Sequence, residues 1–511
     1  MSQTSRTAKS LKNSIVALTM YFVNLVLQFF SRKIFLDYLG TEILGLNSTA
    51  YNLLQFLNIA ELGIGSAIGS TLYKPLFEKD KQSISEIIAL QGKFYQRIAI
   101  FIIAGAAAIM PFFPLIFKKM TLPLWYAYAS FAALLFSALL SYFVNYKQIL
   151  LSADQKEYKI QYTYRLSMMV KVAVQMLAII TLPNGYIWWL ILEIIFAIIG
   201  SIALSKTIRN EYPYLQTINA TFKTLRAKYS DIETKVKQVF FHKVSSFALF
   251  QLSPLIIYAY TSLTEVAIYG NYVLITSGIT YLFGAMFNNV SSGIGNLIAE
   301  RPYDVLGIFG ELFSLRFFLA SIGAFMFFML ASPFVKLWIG STYEMPSHTI
   351  ILLSAILFIG LARQTIDNFL YAYGLFRDIW APIIEMTINI VASIILGAFY
   401  GLNGVLFGAL ISILIIVMGW KPYFLFNAGI KCSVWRYWSM FAKHTAILIA
   451  CAIFSIIIIN LIGIDASASI GSLLLSIPIY TIIFSGSLLA LMNVTRCPII
   501  NFEKRIIRLI K

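Results

Sequence analysis

Lys171 and Arg363 are cations set inside long apolar runs of the chain. An ionisable side chain inside a bilayer costs about 2.5–3.5 kcal/mol on insertion scales, so each is read as functional until a structural partner is found. Lys171 has no acid at i±3 or i±4, so it needs a partner on another helix, a wet cavity or an anionic ligand. Arg363 and Asp367 are four apart and can pair with each other. Arginine offers a planar fork for phosphate oxygens and lysine a point charge, so a cavity holding both suits a pyrophosphate. Glu61 and Asp367 are carboxylates that can take a proton or Na⁺ and couple its gradient to a conformational cycle. Glu193 and Glu385 lie nearer the ends of their runs, where water access and a structural role are expected.

Polar residues also recur at helical spacing. Met20, Asn24, Gln28 and Arg32 share one face of the first apolar run. Ser48, Asn52, Gln55, Asn58 and Glu61 do so in the second, Tyr142, Asn145, Gln148 and Ser152 in the fourth, and Glu385, Asn389 and Ser393 in the eleventh. Such stripes cannot face lipid cheaply; they line a wet cavity or pair between helices. Arg32 lies on the same face as Gln28 and is favoured for a lumen over Lys33, which can snorkel to the interface. The expected cationic lumen is therefore Arg32, Lys171 and Arg363, with Asn24, Gln28, Asn52, Gln55 and Asn145 as its polar lining.

Other chemistries are poorly supplied. Cys432, Cys451 and Cys497 form no C-x-x-C, and His242, His348 and His444 have no ligand spacing, so neither a disulfide scaffold nor a metal site is expected. Gly63-Ile-Gly65-Ser-Ala-Ile-Gly69 follows no strand and is read as close helix packing by small residues rather than a phosphate loop. No cofactor and no enzymatic activity are expected.

The elements that hold these side chains follow from composition. Of 511 residues, 59% are hydrophobic and 12% charged, with a mean hydropathy of +0.80. A soluble domain carries about 25% charged residues, so a water-soluble globule and a disordered chain are excluded. The apolar runs have the length of membrane-crossing helices rather than of barrel strands. About fourteen spans are expected, near 14–36, 44–72, 98–117, 123–150, 160–182, 186–207, 239–261, 266–298, 313–336, 347–373, 378–400, 403–425, 441–463 and 470–492. The first is read as a retained helix, since no small-residue cleavage site ends it.

Placing both termini in the cytosol puts nearly all Lys and Arg on that side, with only Lys171 and Arg363 inside spans. The net charge of +17 is then topogenic, dispersed over short loops, and nucleic-acid binding is not expected. The tail 502–511 is basic and amphipathic and suits an anionic leaflet of membrane lipids. No outer loop has room for a catalytic domain.

An internal repeat is also legible. Glu61-Leu-Gly63-Ile-Gly65-Ser-Ala-Ile68 parallels Gly293-Ile-Gly295-Asn-Leu-Ile298, Asn184-Gly185 parallels Asn403-Gly404, and Leu151-Ser-Ala-Asp154 parallels Tyr371-Ala-Tyr-Gly374. Six helices per half make parallel repeats, the arrangement of alternating-access carriers. The expected layout is 1–207 as one six-helix lobe, 208–238 as a cytosolic connection, 239–425 as the second lobe, and 426–511 as two added spans and a basic tail.

The run Ser31-Arg-Lys-Ile-Phe-Leu-Asp-Tyr-Leu-Gly-Thr-Glu-Ile-Leu-Gly-Leu-Asn47, with Ala60–Ile68, Leu72-Tyr-Lys-Pro-Leu76, Asp367–Asp378 and Tyr400-Gly-Leu-Asn-Gly-Val405, resembles the Wzx-type polysaccharide biosynthesis flippases of the multidrug/oligosaccharidyl-lipid/polysaccharide exporter superfamily. The resemblance covers most of the chain to about residue 425. It implies an all-α integral membrane protein with two six-helix lobes in a V plus two C-terminal helices. It implies a bacterial inner-membrane flippase for undecaprenyl-pyrophosphate-linked repeat units of O-antigen, capsule or exopolysaccharide. An H⁺ or Na⁺ gradient or the membrane potential would drive it, with a polysaccharide polymerase and chain-length regulator as partners. A multidrug exporter would want an acidic lumen, and a lipid II flippase shares fold and ligand charge. A glycan polymerase or ligase would want a large outer loop.

Overall fold

The computed structural model describes residues 3–499 apart from 62, 216–217, 219, 238–239, 241–251, 288–293, 295–303 and 376. The basic tail and, apart from Ile294, the Gly293–Ile298 half of one sequence repeat lie outside the described residues. All regular elements among the described residues are helical, with no strand. Eleven are long and apolar enough to cross a membrane. Their outward faces are apolar: Ile202, Phe399 and Leu461 are 63%, 77% and 78% exposed. Asn145, Arg316, Glu385, Asn389 and His444 are buried. Apolar outside and polar inside is the polarity expected against lipid, and the chain is a multi-pass membrane protein.

The difference between eleven spans and the fourteen expected has local causes. The second expected span is interrupted: α1 (Gln3–Leu39) ends at Gly40, α2 (Thr41–Leu57) passes into a 3-10 turn at Asn58–Glu61, and α3 (Ile64–Glu78) restarts after Gly63. Gly63 has φ +96°, a left-handed conformation that glycine adopts at little cost. The eleventh and twelfth spans run together over Trp380–Ile430, bent at Gly401 (φ +56°, ψ −131°). Beyond that bend a Cβ on Gly404 would lie 2.0 Å from the Leu396 carbonyl oxygen, and one on Gly408 would lie 2.4 Å from the Ser393 nitrogen. This Gly-x-x-x-Gly pair lets the two arms pack backbone to backbone. Much of the seventh expected span lies outside the described residues.

Two compact units divide the chain, Met1–Ala267 and Ile268–Lys511. In the first, α4 (Lys81–Ile109) is followed by α5 (Trp125–Phe143), α6 (Gln148–Ala153), α7 (Leu166–Thr181) and α8 (Gly185–Glu211). Asp80 caps α4 by accepting from the Ser83 backbone N–H, and the Ser83 side chain together with that N–H holds its carboxyl below the usual range. The connection after α8 is tied back to this unit. Its short helix α9 (Phe222–Lys228) lays Phe222 under the Arg97 guanidinium at 3.5 Å, while Lys228 and Tyr229 both bond Glu86. At the end of α8, Lys156 bridges Asp154 and Glu211 at 2.6 Å each. Burial alone would lower the Lys156 pKa, but the two carboxylates raise it above the ordinary lysine value. On the lysine side that bridge stabilises the fold fully below the ordinary lysine pKa and is lost as pH rises through the raised one; at the acid end it is lost as its carboxylates take up protons.

The second unit contains most of α10 (Leu263–Phe287), then α11 (Val305–Ile339), α12 (Ser347–Ala362), α13 (Gln364–Ala372), α14 (Trp380–Ser412), α15 (Trp435–Ile462) and α16 (Ile470–Val494). The internal repeat shows in its breaks. α5 ends at Phe143 and α12 at Ala362, 219 residues apart. The next helical stretches end with positive φ at Gln155 and Gly374, again 219 apart. Each such residue is followed by the same backbone bond, Lys156 N–H to the Leu151 carbonyl and Leu375 N–H to the Leu370 carbonyl. Asn184 and Asn403 keep the same spacing.

Candidate functional site

Glu61 sits at the break between α2 and α3, where the chain leaves helical geometry. The Tyr95 hydroxyl donates to its Oε1 at 2.9 Å and the Tyr142 hydroxyl to its Oε2 at 2.8 Å. The two phenol rings are 5.5 Å apart. Beside them opens a cavity of about 660 Å³, lined among others by Gln55, Asn58, Glu61, Ser66, Ser152 and Glu157. Gly63, Gly65 and Gly69 form part of its wall. A Cβ on Gly65 or Gly69 would meet its nearest neighbours at 3.7 and 3.5 Å, ordinary contact distances. These glycines thus wall the cavity rather than permit the tight helix packing expected of them. Among the described residues no lysine or arginine lines this cavity, which holds two carboxylates.

Tyr95→Phe and Tyr142→Phe each remove one bond to this carboxylate. Each is expected to lower stability by about 0.6–2 kcal/mol, read as a lower thermal unfolding midpoint of purified protein in nanodiscs.

Lys171 finds its partner on the neighbouring helix. Its Nζ lies 2.9 and 2.8 Å from the Glu193 carboxylate oxygens. Ser137 and Gln175 donate to the same carboxylate at 3.3 Å, and Gln175 also donates to the Trp189 carbonyl. Of the three partners open to Lys171, the structure supplies the one on another helix. Glu193 has the structural role expected of it but not the water access, being 6% exposed.

The second unit gathers a larger charge cluster. Arg363 stands at the α12–α13 bend, 3.3 Å from Asp367, as their spacing of four implied. Lys421 approaches Asp367 at 3.1 Å from the far arm of the bent Trp380–Ile430 segment. Glu385 lies 3.9 Å from Arg363 and is 2% exposed, so the water access expected for it is also not found. Arg316, on α11, is 1% exposed with its guanidinium 4.4 Å over the Phe287 ring. It lies within electrostatic reach of Asp367, yet among the described residues none of its three side-chain nitrogens has a hydrogen-bond partner. One buried cation, Arg316, and two half-buried ones, Arg363 and Lys421, thus surround Asp367, with Glu385 beside Arg363.

The remaining expected residues disperse. Arg32 donates to the Ala267 carbonyl at 2.9 Å, and Lys33 pairs with Asp37 at the surface. Asn24 and Gln28 are half-buried on α1. Asn52 is buried, Gln55 lines the first-unit cavity, and Asn145 is 1% exposed with neither amide atom hydrogen-bonded. Lys171 and Arg363 are not the only cations inside spans, since the buried Arg316 and the half-buried Lys421 join them. Sequence position alone put these two near span ends; the length of α11 and the continuous Trp380–Ile430 segment carry them inward. Tyr95 as a partner of Glu61 had no sequence signal, because it comes from a distant helix.

No protein-family model and no curated protein sequence matches the chain. Among solved structures it is similar to the lipid II flippase MurJ in an inward closed conformation (TM-score 0.63, 14% identity, 94% of this chain and 98% of that one). It is also similar to an inward-facing multidrug resistance MATE family transporter of the MOP superfamily (TM-score 0.56, 13% identity, 80% and 97%) and to a MATE protein in a bent conformation (TM-score 0.53, 14% identity, 81% and 94%). The chain has the helical fold that these transporters share.

Proposed function

We propose that this protein is a flippase that moves an anionic, lipid-linked saccharide between membrane leaflets by ion-coupled alternating access. The observation that carries the reading is Arg316 in the second unit, a buried guanidinium with no hydrogen-bond partner among the described residues, which shares the field of Asp367 with Arg363 and Lys421. A desolvated cation cluster of this kind favours a phosphorylated head group. Undecaprenyl-pyrophosphate-linked repeat units of O-antigen, capsule or exopolysaccharide are the cargo class proposed, in a bacterial inner membrane with cytosolic termini. The likeness to the lipid II flippase runs over nearly the whole chain, which supports a lipid-linked cargo over a small drug. Lys171 is the weaker site residue, being neutralised by Glu193. Glu61, which opens on a cavity, is the stronger coupling candidate; Asp367 is committed to Arg363 and Lys421.

A second reading, export of organic cations, draws on one specific observation: among the described residues the first-unit cavity is lined by Glu61 and Glu157 and by no cation. Complementation separates the two. Strains lacking their own O-antigen, capsule or lipid II translocase are expected to regain surface polysaccharide or viability with this protein. Failure in every strain despite normal membrane levels, together with raised drug resistance, overturns the flippase reading.

A further inference from the structure

A second hollow, of about 460 Å³, lies in the first unit where the ends of α1 and α5 meet the α7–α8 turn. Its volume falls in the range of small-ligand sites. Tyr38, Trp125, Tyr126 and Tyr186 supply its aromatic walls, and among the described residues no charged side chain lines it. The rings are ordered by one another. Trp125 and Tyr126 have centroids 4.0 Å apart, Tyr126 stacks on Tyr186 at 5.0 Å and 17°, and Tyr186 stacks on Trp189 at 6.0 Å and 4°. Tyr186 is 4% exposed and is pinned from below, its hydroxyl donating to Asn47 Oδ1 at 3.1 Å. Tyr38 and Trp125, by contrast, are 56% and 45% exposed at the mouth.

Aromatic side chains at a membrane surface commonly form a belt that points outward to the head groups. Here Tyr126 and Tyr186 are fixed by stacking before anything binds, which lowers the ordering cost of binding, and Tyr38 and Trp125 offer exposed ring surface at the mouth of the hollow. The negative face of an aromatic ring attracts the C–H face of a pyranose, which carries partial positive charge. Among the described residues the Tyr38 and Tyr126 hydroxyls and the Asn184 side-chain amide make no hydrogen bond to protein, so they are available to sugar hydroxyls. Flat apolar walls with neutral donors and acceptors and no formal charge match an uncharged sugar better than a phosphate.

We infer that this cleft is a saccharide-binding site, separate from the charge cluster of the second unit, that takes one or two neutral sugar rings. The inference rests on the reading of the cargo as a saccharide. By the lysine and arginine distribution the cleft lies at the outer end of the first unit, where a translocated glycan emerges.

Saturation-transfer NMR on the full chain in nanodiscs tests it, with di-N-acetylchitobiose, galactose and mannose as probes. Wild-type protein is expected to saturate the ring C–H protons of at least one probe. Half-saturation is expected to weaken roughly tenfold in Trp125→Ala and Tyr38→Ala and to stay near wild type in Trp125→Phe. Both positions are exposed, and an unchanged thermal midpoint checks that each variant is folded. The site is overturned if no probe is saturated above the level of the Trp125→Ala/Tyr38→Ala double variant. It is also overturned if octyl glucoside shows saturation of its alkyl chain alone, which marks a lipid-tail seat. Loss of sugar binding alongside successful complementation removes only the cleft; sugar binding without complementation removes only the flippase reading.

Discussion

Asp367→Asn is expected to lower the stability of the second unit by roughly 3–5 kcal/mol, the usual cost of stripping one partner from a buried ion pair. The carboxylate holds Arg363 at 3.3 Å and Lys421 at 3.1 Å and is the nearby negative charge felt by Arg316. Asparagine keeps the shape and removes the charge. Among the described residues Arg363 then retains only Glu385, at 3.9 Å, and the half-buried Lys421 is left without an ion-pair partner. A second change, Lys421→Met, takes out the orphaned charge and is expected to recover much of the loss. Thermal unfolding of the three proteins in nanodiscs is the measurement. Equal midpoints for wild type and Asp367→Asn would show that water, rather than protein, neutralises this cluster.

Glu193→Gln is expected to cost a similar roughly 3–5 kcal/mol, because it leaves Lys171 in the helix interior facing an amide. Replacing both members, Lys171→Met with Glu193→Met, is expected to restore stability to within about 1–2 kcal/mol of wild type. Buried ion pairs can often be exchanged for packed apolar side chains at little cost. The double variant also separates structure from transport. A stable double variant that still complements assigns the pair to helix packing. A stable one that has lost transport while Glu61 and Arg363 are intact gives Lys171 a part in cargo binding.

The ledger of what the sequence discloses divides along a physical line. Spans were legible because a helix in lipid must be apolar over a fixed length, and Arg363–Asp367 because i, i+4 neighbours share a helix face. Lys171–Glu193 was not, since its members are 22 residues apart and meet only when two helices pack. The same holds for Tyr95 and Tyr142, which reach Glu61 from positions 34 and 81 residues away. Arg316 was hidden for another reason: near the start of an apolar run, position alone does not distinguish a loop charge from a buried one. The interruption at Asn58–Glu61 and Gly63 carried a signal, a glycine-rich stretch just after a carboxylate. Its consequence is a cavity, not a closer helix contact. The repeat was visible as short matches, and helix breaks spaced by 219 residues give it a structural form.

The carrier reading stands or falls on whether a phosphorylated glycolipid crosses a bilayer through this chain. Purified protein reconstituted into liposomes with a fluorescent, short-chain prenyl-pyrophosphate saccharide permits that measurement, with dithionite quenching to report the outer leaflet. An imposed H⁺ or Na⁺ gradient is expected to speed exchange between leaflets, and Arg316→Met is expected to abolish the acceleration. No exchange above protein-free liposomes, in preparations that do expel an organic cation dye, would contradict the account.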